Sequence, residues 1–344
     1  MSRNLWSAVF ALCVIVSTSA SVDARTWTQG QDWNLLRDGI AMAEGGDTLA
    51  CVGDPINEGE VLFPKGKTLT LRTIDGTAPS LLIGRVTVSD SLVIDRMRHQ
   101  GSVLVTASAR LWCSNYLNTR QSTSVNSVNE IIGGPFEYGR VTYEHCKIEI
   151  PIWAHENAVL LIRDTVILTD DEAITALTLE WSTAQILESD IGSGEHAPAI
   201  RQVFSTLQME DVTVHSSSNG IDSEISNLEL NRVTIECQGA ALNLTMGSQV
   251  SVLDCSLAGG VGVYLADSSM QVILSTILAE TKGIQFTGEN YVVLNGNHLE
   301  AVYGYECYDT RTKILIGEFG NSFAVADVRD PDSNNCEISL YRFP

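Results

Sequence analysis

The chain has 344 residues, of which 44% are apolar, and a formal net charge of −21. This charge excludes a nucleic-acid partner, which requires a basic stripe, and it argues against unaided binding of an anionic polymer. The apolar fraction suffices for a continuous core, and no linker-like stretch interrupts the chain, so we expect a single domain over residues 25–344.

Residues 1–24 have the pattern of a signal peptide. Arg3 supplies the positive charge, residues 5–16 form an uncharged apolar run, and residues 22–24 suit cleavage. The run is too short to span a bilayer, although an uncleaved anchor is the alternative. We expect an exported protein, secreted or periplasmic, that starts near Arg25 and has no transmembrane segment.

The first predicted element of the mature chain is a helix over residues 31–46. Asp32 can cap its N-terminus, and Leu36, Ile40 and Ala43 fall on one face. Such a helix would cover the open end of a stacked structure that begins at residue 47.

From residue 141 onward, one eight-residue pattern recurs every 19 to 24 residues. Positions one, three and eight are apolar, and position six is small or apolar except for Asn297 in the last copy. The copies are VTYEHCKI, LLIRDTVI, AQILESDI, LQMEDVTV, LELNRVTI, VSVLDCSL, MQVILSTI and VVLNGNHL. Positions one and three share one face of a strand, and positions six and eight do so after a bend.

A second signal follows most copies: a small residue and then an apolar one. It occurs at residues 173–174, 199–200, 220–221, 241–242, 262–263, 283–284 and 304–305. Each repeat therefore holds two or three short strands and is too small to bury its own core. Stacked repeats predict an all-β parallel β-helix of about ten rungs over residues 47–325, followed by a polar tail at 326–344.

The capping helix, the stretches "GGDTLACVGD" and "KGKTLTLR" and the rungs of about 21 residues resemble the right-handed parallel β-helix superfamily of pectate lyases and polygalacturonases. The resemblance covers about residues 31–325. It implies a right-handed solenoid but no particular activity, because this architecture carries lyases, hydrolases, epimerases and adhesins.

Chemistry-bearing side chains cluster in the turns after four consecutive repeats. Neighbouring rungs lie about 4.8 Å apart, so we expect these turns to form one surface patch. An aromatic ring can stack on a sugar, and two carboxyl groups can act as general acid and base, whereas the same acids could instead hold Ca²⁺. The catalytic candidates are Asp170, Asp171 and His196, and the substrate-binding candidates are Trp153, Glu172, Glu195, Arg201 and His215.

The candidate pair also resembles the polygalacturonase pattern, in which paired aspartates precede a Gly-His-Gly segment one rung later. Here Asp170 and Asp171 are followed by "GSGEH", which brings His196 near the corresponding place. No Asn-x-Asp precedes the pair, no Gly follows His196, and the later Arg-x-Lys is missing, with Arg201 only an isolated candidate. The alternative is a solvated acidic turn.

Two classes of function remain open at this point. One is a carbohydrate-related role, either binding or cleaving a polysaccharide or cell-surface glycan as a hydrolase or lyase. The other is a non-catalytic surface, adhesion or structural protein, with Trp153 and Trp181 as binding aromatics. We also expect a monomer, no zinc-type metal site, and a disulfide between Cys307 and Cys336 that pins the C-terminal end.

Overall fold

The computed structural model describes residues 24–119, 129–132, 138–169, 174–316, 320–329 and 334–342. These residues form the helix α1 and 33 strands. The helix is α1 Leu36–Met42, and the strands are β1 Thr26–Thr28, β2 Thr48–Cys51, β3 Ile56–Phe63, β4 Thr68–Thr73, β5 Ser80–Val88, β6 Ser91–Asp95, β7 Met97–Gln100, β8 Val103–Val105, β9 Arg110–Ser114, β10 Leu117–Thr119, β11 Asn129–Ile132, β12 Arg140–Glu144, β13 Lys147–Ile148, β14 Ile152–His155, β15 Val159–Arg163, β16 Val166–Leu168, β17 Leu177–Glu180, β18 Thr183–Leu187, β19 Asp190–Gly192, β20 Ile200–Val203, β21 Thr206–Glu210, β22 Thr213–Ser216, β23 Ile221–Glu224, β24 Asn227–Asn231, β25 Thr234–Cys237, β26 Ala240–Thr245, β27 Gln249–Leu253, β28 Ser256–Ala266, β29 Ser269–Ile273, β30 Thr276–Asn295, β31 His298–Ile316, β32 Ser322–Arg329 and β33 Asn334–Arg342.

The strands stack as a parallel β-helix in which each turn of the chain contributes to three faces. We name the faces sheet A (such as β15, β18, β21 and β24), sheet B (β16, β19, β22 and β25) and sheet C (β14, β17, β20, β23 and β26), each strand pairing in parallel with its counterpart one turn away. The strands β28, β30 and β31 bend around corners and so belong to more than one sheet.

The solenoid has about 13 turns, so the predicted count of about ten rungs was too low. The sequence pattern is faint before residue 140, where turns differ in length, and the predicted rungs end at residue 325. There β33 pairs with β31 in a regular register, Lys313 with Ser339, so the predicted tail contains ordered strands. The sequence around residue 330 is rich in turn-forming residues, so this last strand was not predicted.

The eight-residue pattern has the predicted structural meaning. In the copy that starts at Ala184, this residue and Ile186 are buried on sheet A, while Ser189 and Ile191 are buried at and after the bend into sheet B. The small–apolar pair opens the sheet C strand. For β17, however, the register with β20 identifies this pair as residues 176–177 rather than 173–174.

The core is made of identical positions stacked turn upon turn. On sheet B one such stack is entirely aliphatic and buried, and it contains Ile148, Ile167, Ile191, Val214, Ile235, Leu257, Ile277 and Leu299. Burying each side chain contributes about 2 kcal/mol relative to leaving it in water. No single turn could provide this stack, which explains why the fold requires many repeats.

The helix α1 covers the N-terminal end, but it is shorter than the predicted 31–46. Asp32 does not cap it: its carboxylate accepts a hydrogen bond from the Thr28 amide at 2.7 Å. Glu58 from β3 takes that role and accepts hydrogen bonds from the amides of Leu36 and Arg37. A cap supplied from a distant strand leaves no local signal in the sequence.

Close backbone contact between the early turns requires glycine at position 84. Gly84 has φ +122°, and a Cβ atom there would lie 1.9 Å from the Gly59 carbonyl oxygen. The carbonyl oxygen of Gly84 lies 2.7 Å from Nε2 of His99, which is buried, and Nδ1 of His99 lies 2.6 Å from the Tyr116 hydroxyl. His99 therefore donates to Gly84 and accepts from Tyr116, which is the arrangement of a neutral imidazole.

Cys307 is disulfide-bonded, whereas Cys51, Cys113, Cys146, Cys237 and Cys255 are free. The side chain of Cys336 lies outside the described part of the structure, so its pairing with Cys307 stays a prediction.

Candidate functional site

The outer face of sheet C carries a row of polar and aromatic side chains in lateral register. We call it the sheet C row, and it consists of Trp153, Thr178, Arg201, Asp222, Asn243, Tyr264 and Gln285. Its seven positions occupy seven successive turns, so the row extends about 29 Å at about 4.8 Å per turn.

Strand alternation places these side chains outside the core. On β23, for example, Ile221 and Ser223 are buried, whereas Asp222 between them is partly exposed. The next outward position, at Glu224, continues the face toward the corner with sheet A. The core therefore requires residues that can be buried on either side of each row member along its strand. It places no such requirement on the row member itself.

The centre of the row is ordered by hydrogen bonds. Oδ1 of Asp222 accepts from Nδ2 of Asn219 at 2.9 Å and from Nδ2 of Asn243 at 3.0 Å. Oδ1 of Asn219 accepts from the Ala240 amide at 2.9 Å. The amides are thus fixed in orientation before any ligand arrives, which reduces the entropy cost of binding.

An open cavity of about 420 Å³ lies beside this network. Asn219, Asn243, Tyr264 and Gln285 line it. Gly239 forms part of its wall, and a Cβ atom there would lie 2.3 Å from Oδ1 of Asn219. Glycine at this position therefore preserves the orientation of the amide that holds Asp222.

The other end of the row presents an aromatic surface. Trp153 is 37% exposed, and its ring stacks on that of His155 with centroids 4.5 Å apart. Nε2 of His155 lies 3.1 Å from Oε1 of Glu130 on the preceding turn, so that the imidazole is held in place beneath the indole. A fixed indole is suited to stacking on an apolar ring face.

The sequence-predicted site residues do not all lie on this face. Trp153 and Arg201 belong to the sheet C row. Glu195 and His196 lie in the turn between β19 and β20, with side chains 70% and 78% exposed. Asp170, Asp171 and Glu172 lie outside the described residues.

His215 lies at a different place, on the outer face of sheet B. Its Nε2 is 3.8 Å from Oδ1 of Asp190, and its Nδ1 is 3.6 Å from Oε2 of Glu236 on the following turn. Within the described ranges, no group of three or more His, Cys, Asp or Glu side chains could hold a metal ion.

Sequence reasoning missed Asp222, Asn243, Tyr264 and Gln285. Each directly follows one of the recurring small–apolar pairs, in the tripeptides GID, ALN, GVY and GIQ. Because the pair opens a sheet C strand, the next residue must point outward. This position could have been identified from the sequence.

A second exposed feature is the corner between sheets C and A. Trp181, Phe204, Ile225 and Met246 occupy it on successive turns, all with positive φ and all exposed. The corner between sheets A and B has the same backbone geometry but carries mostly polar residues, such as Asp164, Glu188, Asp211, Arg232 and Asp254. Backbone conformation thus does not call for apolar side chains at the first corner.

Trp181 and Phe204 stack on each other, with centroids 4.1 Å apart and planes at 12°. Each ring therefore already covers one face of the other. The pair stabilises neighbouring turns, and each ring offers only its other face to a ligand.

Comparisons with known proteins establish the class of fold. The family description "Right handed beta helix region" matches residues 172–319. The structure is similar to the A-module of mannuronan C-5 epimerase AlgE4 from Azotobacter vinelandii, with a TM-score of 0.52 and 14% identity, covering 88% of this chain and 93% of that chain. It is also similar to the receptor-binding domain of the Siphovirus 9NA tailspike, with a TM-score of 0.50 and 9% identity, covering 93% of this chain and 76% of that chain.

The protein therefore has a right-handed parallel β-helix fold, as predicted. At these identities the similarities concern the fold alone. No curated protein matches the sequence. In the part of the chain that the structure describes, no helix has the length and apolar character needed to cross a membrane.

Proposed function

We propose that this protein is an exported β-helix that binds a polysaccharide or cell-surface glycan along the sheet C row. The observation that carries the proposal is the hydrogen-bonded centre Asn219–Asp222–Asn243, which lies in line with Tyr264 and Arg201. Amides, a carboxylate and aromatic rings on one rigid face suit the hydroxyl groups and apolar ring faces of sugars.

The geometry of the row favours an extended ligand over a small one. Its side chains repeat at each turn for about 29 Å, and the cavity beside Asn243 is open rather than enclosed. A polymer with a regular repeat can use several of these positions at once, and weak contacts then add up. This is the reason for preferring a polysaccharide.

The proposal concerns binding and does not depend on cleavage. The catalytic candidates Asp170 and Asp171 lie outside the described residues, and His196 extends into solvent from a turn. Export is part of the proposal because residues 1–24 have the pattern of a signal peptide. The test of export is the mass of the protein recovered from a periplasmic or culture fraction. We expect this mass to be that of a chain that starts near Arg25.

The binding test is affinity electrophoresis of the purified protein through gels that contain different soluble polysaccharides. We expect retention by at least one polysaccharide, and we expect Tyr264→Ala and Trp153→Ala each to weaken it about tenfold, because each removes a stacking surface. Product analysis by thin-layer chromatography shows in the same samples whether any chain is cleaved.

The matched control is Trp112→Ala, because Trp112 is an exposed tryptophan on the outer face of sheet A. It should leave retention unchanged. No retention by any polysaccharide, or equal losses in the Trp112 and Trp153 variants, would contradict the proposal.

A further inference from the structure

The charges on the sheet C face limit the class of glycan that it can accept. From β17 to β26, the outward positions of the sheet C strands carry the cation Arg201 and three carboxylates, Glu180, Asp222 and Glu224. Further along, Lys282 on β30 is paired with the buried Glu306, with Nζ and Oε2 2.6 Å apart. Arg201 and Asp222 are direct neighbours on adjacent turns. Glu180 and Glu224 are the neighbours of Val203 on the turns before and after it. A polyanion laid along β17 to β26 would therefore meet three like charges and one opposite charge.

The hydrogen-bonding groups at the centre of the row also disfavour a polyanion. Asn219 and Asn243 each direct an amide N–H to Asp222, and this leaves the second carboxylate oxygen of Asp222 and the amide oxygen of Asn243 as acceptors. A sugar hydroxyl can donate to such oxygens. A uronate carboxylate can only accept, so it cannot take the place of a donating hydroxyl at these oxygens, and it would bring a negative charge next to that of Asp222.

The long-range field acts in the same direction as the local contacts. The formal net charge of −21 repels a polyanion before contact, and this repulsion is strongest at low ionic strength. Local and long-range electrostatics therefore both disfavour a polyanion.

We propose that the glycan bound by the sheet C row is uncharged, which rests on the proposed function of this row. The ligand class is a neutral hexose polymer, not a polyuronate. Hydroxyl groups of successive sugars donate to Asp222 and Asn243, and Tyr264 contacts an apolar ring face.

The experiment compares retention by two neutral polymers, a β-glucan and a galactomannan, with retention by two uronates, polygalacturonate and alginate. Each is measured at low and high salt, with chelator and with Ca²⁺. We expect at least one neutral polymer to be bound about tenfold more tightly than either uronate at low salt, with little dependence on salt.

The double variant Glu180→Gln and Glu224→Gln tests the cause of the selectivity. It should reduce the discrimination against polygalacturonate at low salt, because two repelling charges are removed while the side-chain shapes stay similar. A variant with unchanged discrimination would contradict the electrostatic argument.

The outcomes separate the two proposals. Tighter binding of either uronate, with or without Ca²⁺, overturns the neutral-glycan inference but leaves glycan binding intact. If none of the four polymers and no polysaccharide of a wider panel retains the protein, the proposed function itself is contradicted.

Discussion

At the scale of single residues, the sequence reveals which positions point outward but not which of them act together. The residue after each small–apolar pair was available as a signal, and it identifies Asp222 and Tyr264 as members of one row. By contrast, the contact of Asn219 with Asp222 depends on the shape of a turn and on the lack of a side chain at Gly239. A contact of this kind leaves no recurring pattern in the sequence.

The buried imidazole of His99 provides a residue-scale prediction. Burial lowers its pKa from 6.5 to about 4, an effect that its hydrogen bond to Gly84 only partly opposes. The unfolded chain therefore takes up a proton at higher pH than the folded protein does. The corresponding stability is complete above pH 6.5 and is lost as the pH falls toward 4.

We expect the free energy of unfolding to fall by about 2 kcal/mol between pH 7 and pH 5 through this one group. Urea titrations at the two pH values measure it, with the exposed-histidine variant His196→Gln expected to follow the wild type. NMR of the His99 ring gives the direct check: titration near pH 6.5 would show that the imidazole is not protected by burial.

At the scale of secondary-structure elements, the strands were predictable because each position recurs in the next turn. The bends between strands were harder to predict. The repeat misplaced the start of β17 by three residues, because residues 173–174 also have the small–apolar pattern and precede the pair at 176–177 that the register identifies. Polar residues inside the bends are also informative, since Ser275 and Asn297 occupy position six of the repeat and link successive turns through side-chain hydrogen bonds.

Asn297 illustrates how much a polar residue in such a bend contributes to the stability of the fold. Its Oδ1 accepts from the Ser275 amide at 2.9 Å, and its Nδ2 donates to the Val272 carbonyl at 2.9 Å. Asn297→Ala leaves both buried backbone groups without their partner, so we expect a loss of about 3 kcal/mol in the free energy of unfolding. Asn227→Ala, at an exposed position of sheet A, should change it little, and equal effects in urea titrations would refute this role.

At the scale of the whole molecule, the repeat predicted a single solenoid, and the structure confirms this architecture with more turns than expected. The two ends were the harder part. A helix capped by the distant Glu58 and a last strand beyond residue 330 each depend on contacts with the finished stack. The stack also turns isolated outward residues into one continuous surface, which is the basis of the proposed glycan-binding role.

The most direct test of that role is a crystal structure of the protein with a hexasaccharide of the polysaccharide that it retains most strongly. We predict saccharide density on the outer face of sheet C, in contact with Tyr264 and with hydroxyl groups hydrogen-bonded to Asp222 and Asn243. Saccharide bound at the corner of Trp181 and Phe204, or on sheet B beside His215, with the sheet C row empty, would contradict the account.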